Sequence, residues 1–145
     1  MEKIDFKIQI DAPREKVWEI LWGDNSYNQW TSVFAEGSRA ETDWQKGSKV
    51  LFLDGKKSGM VSFIVEKIAN EFMSFKHMGI VKDGVEIIDD AKANEWAGAL
   101  ENYTLKNVNG KTELLVDMDI TDEYKDYFLK KWPDAMEKIK SLSEN

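Results

Sequence analysis

The sequence predicts an α+β fold in which a curved antiparallel sheet packs against a long C-terminal helix. Three observations support this prediction: an alternating first strand followed by two short helices, a central series of strands separated by turn signals, and one amphipathic helix at the end. The sheet and the final helix each have one apolar face, so each can bury the other. The length is typical of one domain, and residues 1–145 are interpreted as such.

The first strand is predicted at residues 4–10, where apolar and polar residues alternate with a period of two. Pro13 ends this strand and suits the first turn of a helix. Apolar residues at i and i+4, such as Val17 and Leu21, then indicate a short amphipathic helix that stops at Gly23. Residues 27–34 are interpreted as a second short helix or a packed loop.

The middle of the chain is predicted to be a run of antiparallel strands. Asp-Gly and Asn-Gly pairs mark the turns, because these residues tolerate positive φ angles. Residues 85–94 are interpreted as a loop, with a short strand at 85–88 left open. The predicted strands cover residues 38–42, 49–53, 59–68, 72–81, 96–106 and 111–120.

The C-terminal helix is predicted to begin after Thr121, which is a suitable cap. Large apolar side chains then recur at spacings of four, four, four and three, which places them on one face. Pro133 lies inside this pattern, so we expect a kink or a break there. The residues on the apolar face are Tyr124, Phe128, Trp132, Met136 and Ile139.

Composition excludes several classes of function. The chain has 145 residues, a net charge of −7, no Cys and one His. An acidic chain without a basic block is a poor match for nucleic acid or anionic membranes, and we predict neither partner. The absence of Cys excludes disulfides, thiol catalysis and zinc–thiolate sites, and a single His excludes multi-histidine metal centres. We predict no metal and no cofactor.

No apolar run approaches a membrane span or a signal peptide, so a cytoplasmic location is expected.

Five parts of the chain match the sequence pattern of a known superfamily. They are IQIDAPREKVWEILW (8–22), Trp30, WQKGSKV (44–50), SGMVSFIVEKIANEFMSF (58–75) and KWPDAMEKIKSLSE (131–144). In these parts the chain resembles the START-like (SRPBCC) superfamily, whose members adopt the helix-grip fold, and is most similar to the branch of the C-terminal domain of the heat-shock-protein-90 ATPase activator. One departure is Gly47-Ser48, where the family often has a pair of glycines, and this concerns local turn geometry. The resemblance implies a START-like domain over nearly the whole chain and contains no catalytic motif.

The candidate ligand-binding residues are one histidine and seven aromatic side chains. His77 is expected on the helix-covered face of its strand, together with Val81, as a polar anchor or a general base. The alternative is a hydrogen-bonded core histidine. The aromatic side chains either line a cavity or simply fill the core. They are Trp44, Phe63, Phe75, Trp96, Tyr124, Phe128 and Trp132.

Acidic pairs in the sequence are given structural interpretations. Asp117 and Asp119 lack the spacing of a calcium loop and are interpreted as the wet face of a strand. Glu95 and Glu101 share a predicted strand face, and a solvated surface is the favoured interpretation over acid–base catalysis.

Three functions remain open at this point. The favoured one is a non-catalytic binding module that holds a small apolar or amphipathic ligand between the sheet and the C-terminal helix. The second is a chaperone co-factor, implied by the family resemblance, with a chaperone protein as partner. The third is a cavity enzyme of the cyclase or hydrolase type, in which His77 would act with Tyr103 or Tyr124. No catalytic residue is assigned.

Overall fold

The structure, a computed structural model, describes residues 1–145 and has the predicted α+β helix-grip architecture. The chain has four helices and eight strands, which follow the predicted order except for α3, in a segment that was interpreted as a loop. The helices are α1 (Arg14–Trp22), α2 (Asp24–Thr31), α3 (Ala91–Asn94) and α4 (Asp122–Glu144). The strands are β1 (Glu2–Ile10), β2 (Arg39–Glu41), β3 (Lys49–Leu53), β4 (Gly59–Ile68), β5 (Phe72–Lys82), β6 (Val85–Ile87), β7 (Leu100–Val108) and β8 (Lys111–Ile120).

All eight strands belong to one curved antiparallel sheet with the order β1-β8-β7-β5-β4-β3-β2, and β6 pairs with β5. The first and last strands pair along their whole lengths, from Glu2 opposite Ile120 to Ile10 opposite Thr112. The paired strands β1 and β8 form one end of the sheet. Helix α4 follows β8 directly and packs against β1.

A β-bulge in β5 changes which side chains face the core. Val61 of β4 pairs with Gly79, but the next residue, Ser62, pairs with His77, so Met78 has no partner. A bulge of this kind shifts the alternation of side chains by one residue. The prediction that Val81 shares a face with His77 is therefore wrong. Val81 packs with Leu53 and Val61 in a separate small cluster, whereas Ile80 packs against the main core.

Helices α1 and α2 follow β1 as predicted and are separated at Gly23. The amide of Gly23 donates to the carbonyl of Glu19, at 2.8 Å. A Cβ atom at this position would lie 2.7 Å from that same oxygen, so the close approach requires glycine. The junction turns α2 so that Tyr27 and Trp30 are buried against the sheet.

Helix α4 presents the predicted apolar face to the sheet. Trp132, Met136 and Ile139 are buried. Of the kink or break predicted at Pro133, the break is wrong, since the helix continues through this residue. Packing along the apolar face compensates for the one lost backbone hydrogen bond. Thr121 occupies the N-cap position, but its hydroxyl makes no capping bond.

Trp96 was predicted to be the first residue of a strand over residues 96–106, but it lies outside the observed strand. β7 begins at Leu100, and α3 precedes it, capped by the carboxylate of Asp90 on the amide of Ala93. In a strand over residues 96–106, Trp96 and Tyr103 would face opposite sides of the sheet. The structure removes this conflict, because only Tyr103 is in the strand. None of the helices is both long and apolar enough to cross a membrane.

Candidate functional site

A cavity of about 530 Å³ lies between the inner face of the sheet and helices α2 and α4. Its volume falls within the range of small-molecule sites, roughly 300–1,000 Å³. The wall is mainly apolar, with a few polar groups. Its aromatic side chains are Tyr27, Trp30, Phe34, Phe52, Trp96, Tyr103, Tyr124, Phe128 and Trp132.

Five of the eight candidate residues from the sequence line this cavity. His77 is supplied by the middle of β5 and is 6% exposed. The other four are aromatic and come from α4 and the segment after α3, where Trp96 and Tyr124 pack ring to ring at 5.5 Å. They are Trp96, Tyr124, Phe128 and Trp132.

The remaining three candidates do not line the cavity. Trp44 packs on Trp22, with ring centroids 5.1 Å apart, and Phe75 is fully buried beside both. Trp44 has a φ of 61°, an unusual backbone conformation for a bulky residue. Phe63 is 37% exposed, because its position in the alternation of β4 places it away from the core.

The aromatic wall residues of α2 and of the segment directly after it were missing from the candidate residues. Tyr27, Trp30 and Phe34 were interpreted only as a short helix or a packed loop. Trp132 joins them to the sheet, with ring centroids 5.9 Å from Trp30, 5.0 Å from Phe34 and 6.1 Å from Tyr103. Their helical spacing gives the same signal as core packing, so the sequence could not single them out.

A hydrogen-bonded group of four side chains forms the polar part of the site. We call Ser62, His77, Glu101 and Tyr103 the polar cluster. His77 Nδ1 lies 2.5 Å from the Ser62 hydroxyl, and its Nε2 lies 3.1 Å from Glu101 Oε1. The Tyr103 hydroxyl donates to Glu101 Oε2 at 2.5 Å. Three adjacent strands, β4, β5 and β7, supply these groups, and the bulge at Met78 lies next to His77.

The cluster determines the tautomer of the histidine. An ionised carboxylate only accepts hydrogen bonds, so the Nε2 atom that faces Glu101 carries a proton. In the neutral ring Nδ1 is then an acceptor, and the hydroxyl of Ser62 donates to it. Ser62 thus fixes the orientation of the imidazole through a hydrogen bond on the side of the ring that faces away from the cavity.

The arrangement differs from a nucleophilic triad. Ser62 is fully buried and does not line the cavity, so a bound molecule could not reach its hydroxyl. Ser62 also contacts Nδ1 of His77. In hydrolase triads the serine contacts Nε2 of the histidine and the acid contacts Nδ1. The geometry therefore supports a binding role for the cluster better than nucleophilic catalysis.

Glu101 corrects an interpretation made from the sequence, which placed it on a solvated surface. Its side chain is only 21% exposed and lines the cavity. Glu101 and Tyr103 lie two residues apart on β7, so both face the same side of the sheet. An inward-facing Tyr103 would have placed Glu101 inward too, but Trp96 faced the opposite side of the predicted strand and left its inner face undecided.

The cavity contains two buried phenols. Burial raises the pKa of Tyr103 well above its usual value, and the charge and hydrogen bond of Glu101 raise it further. Burial and then the charge of Glu101 also raise the pKa of Tyr27. Both hydroxyls therefore stay protonated around neutral pH. Tyr27 makes no side-chain hydrogen bond within the chain, although it is only 7% exposed.

The other charged residues of the wall are mostly engaged elsewhere. Asp54 accepts from the amides of its own turn, and Asp119 accepts from the amide of Leu100 at 2.9 Å. Lys92 pairs with Glu123 at 3.1 Å. Lys82 has no ion-pair partner and is exposed at the end of β5. Among the carboxylates, Glu101 is therefore the one that is built into a buried polar cluster.

Solved structures share this fold at low sequence identity. The solution structure of the Aha1 dimer from Colwellia psychrerythraea matches with a TM-score of 0.77 and 19% identity, covering 99% of this chain and 97% of that one. Protein MLL2253 from Mesorhizobium loti matches with a TM-score of 0.75 and 15% identity, over 97% and 96% of the two chains. DynU16, from the dynemicin biosynthetic locus, matches with a TM-score of 0.74 and 14% identity, covering all of this chain and 48% of that one.

Sequence comparison identifies the family. No curated protein matches the chain. The family model described as "Activator of Hsp90 ATPase homolog 1-like protein" matches residues 11–144, which includes every element except β1. Together with the shared fold, this match shows that the chain belongs to the Activator of Hsp90 ATPase homolog 1-like family of the START-like superfamily.

Proposed function

We propose that this protein is a non-catalytic binding module for a small amphipathic molecule held between the sheet and helix α4. The observation that carries the proposal is the cavity of about 530 Å³, with an aromatic wall and one buried polar cluster. Binding sites for small molecules typically combine an apolar lining with a few placed polar groups. The candidate ligand-binding residues that line this cavity are His77, Trp96, Tyr124, Phe128 and Trp132.

The first test asks whether the cavity takes up an apolar probe. N-phenylnaphthylamine is neutral and becomes fluorescent in apolar surroundings. Met60 and Ile80 face each other across β4 and β5, and both line the cavity. Replacing both with Trp places two indole rings in the part of the cavity that β4 and β5 line. The probe should then bind at least about tenfold more weakly.

The matched control adds an indole ring outside the cavity. Phe63→Trp changes an exposed position of the same strand and should leave probe affinity unchanged. Equal affinities for the wild type, the Met60→Trp/Ile80→Trp variant and the control would count against the cavity as the site. Native mass spectrometry of the purified protein complements this test, since a bound small molecule would appear as a defined added mass.

The family match favours a second candidate function, a co-factor of a chaperone. The family model is described by an activator of the Hsp90 ATPase, and the Colwellia structure carries the name Aha1. The test is the ATPase rate of the cognate chaperone with and without this protein. Stimulation together with comigration would support the chaperone role, and an unchanged rate without comigration at high concentration would oppose it.

A further inference from the structure

The polar cluster can select the kind of ligand that enters the cavity. Glu101 receives one hydrogen bond from His77 at Oε1 and one from Tyr103 at Oε2. A carboxylate has about four acceptor positions, so acceptor capacity remains on both oxygens. The side chain is 21% exposed and lines the cavity, which directs part of that capacity toward a bound molecule.

Tyr27 provides a second polar group on the wall of the same cavity. The residue is 7% exposed, its hydroxyl makes no hydrogen bond within the chain, and this hydroxyl is not sealed from the cavity. A phenol hydroxyl can both donate and accept a hydrogen bond, so it is available to the polar end of a bound molecule.

The electrostatics of this part of the cavity favour a donor over an anion. A ligand carboxylate would face the charge of Glu101 in an environment of low polarity, where like charges repel strongly. The wall lysine with no ion-pair partner is Lys82, five residues along β5 from His77, or roughly 15 Å for an extended strand. The ring of Phe52, which is only partly buried and has its centroid 6.0 Å from that of His77, would in contrast stabilise a cation.

We propose that the cavity selects amphipathic molecules whose polar end donates hydrogen bonds to Glu101, namely alcohols or amines with an apolar body, and rejects carboxylic acids. This inference rests on the proposed binding function and adds the chemical class of the ligand. Glu101 is the residue that determines the selectivity, and His77 and Tyr103 hold its carboxylate in position.

Three probes with the same body test the proposal: 4-phenylbutylamine, 4-phenylbutanol and 4-phenylbutyrate. At neutral pH they carry a cation, a neutral hydroxyl and an anion. Titrations followed by calorimetry should show that the amine and the alcohol bind at least about tenfold more tightly than the acid. The amine and alcohol arms then distinguish a cationic donor from a neutral one.

A matched pair of variants assigns the selectivity to Glu101. Glu101→Gln removes the charge at similar volume, and the preference against the acid should fall to about threefold or less. Glu113→Gln makes the same change in net charge on β8 outside the cavity and should leave the preference intact. Circular dichroism checks that both variants fold, and the ranking of the three probes by the wild-type protein does not depend on any variant.

The outcomes separate this inference from the proposed function. If all three probes bind equally, or the acid binds best, the cavity binds ligands but the selectivity for donors is overturned. If the preference persists in Glu101→Gln, Glu101 is not its source and the inference is also overturned. If none of the probes binds and N-phenylnaphthylamine does not bind either, the proposed function itself fails.

Discussion

Removing the hydroxyl of Ser62 tests the polar cluster without changing the wall of the cavity. Ser62→Ala deletes the group that lies 2.5 Å from His77 Nδ1. Both residues are buried, and the ring makes no other side-chain hydrogen bond at that nitrogen. The variant therefore leaves a buried acceptor without a donor.

The expected cost follows from the burial of the nitrogen. An unpaired buried acceptor costs about 1–3 kcal/mol, and a domain of this size loses about 2–4 °C of Tm for each kcal/mol. Ser62→Ala should therefore lower the Tm by about 2–12 °C. Urea unfolding at an unchanged m-value gives the free energy of unfolding directly.

A double-mutant cycle shows whether the cost comes from the bond to His77. In a His77→Leu background Ser62 has no imidazole to bond, so Ser62→Ala should lower the free energy of unfolding only a little. The coupling energy between the two positions should be about 1–3 kcal/mol. Ser74 is a matched control, since its hydroxyl bonds Asn102 rather than His77. Its coupling with His77 should lie within about 0.5 kcal/mol of zero.

The tautomer gives a second measurement on the same pair. The chain has one His, so its ring nitrogens can be assigned without ambiguity by nitrogen-15 NMR. The neutral ring should carry its proton on Nε2 in the wild-type protein. A proton on Nδ1, or equal costs of Ser62→Ala with and without His77, would refute the proposed arrangement of the cluster.

Two further predictions concern the buried phenols and the proline of α4. Burial raises the pKa of Tyr27 and Tyr103, so both hydroxyls lend stability below the unfolded value of about 10, and this stability is lost as the pH rises above it. In an alkaline titration no more than two of the four tyrosines should ionise before unfolding, and ionisation of all four with unchanged circular dichroism would contradict this. Pro133→Ala restores a backbone donor toward the carbonyl of Leu129 and should raise the unfolding free energy by up to about 3 kcal/mol. A lower Tm would show instead that the ring of Pro133 contributes to packing.

The fold could be predicted because its main elements have simple periodicities. β1, β8 and the apolar face of α4 each bury one side, so period two or period 3.6 is visible in the residues themselves. The Asn-Gly turn between β7 and β8 also gave the correct hairpin. These signals are local, and each element carries its own.

The candidate site was predicted less completely because its geometry depends on contacts between distant segments. The bulge at Met78 moves Val81 off the face that carries His77, and an extra residue in a strand leaves no periodic signal of its own. The inner face of β7 stayed undecided as long as Trp96 was counted in the strand, and in the structure Trp96 lies between α3 and β7. Element boundaries are the part that local patterns specify least.

The polar groups of the cavity also explain why the many aromatic side chains of the interior do not fill the cavity. Trp30, Tyr103 and Trp132 pack against one another along one wall, so they are already held by partners on their own side. Closing the space would bury the remaining acceptors of Glu101 and the hydroxyl of Tyr27 against apolar rings. Burying a polar group without a partner costs about 1–3 kcal/mol by protein mutational data and up to roughly 7 kcal/mol in drier surroundings. The same residues that would recognise a ligand therefore oppose the collapse of the cavity that would receive it.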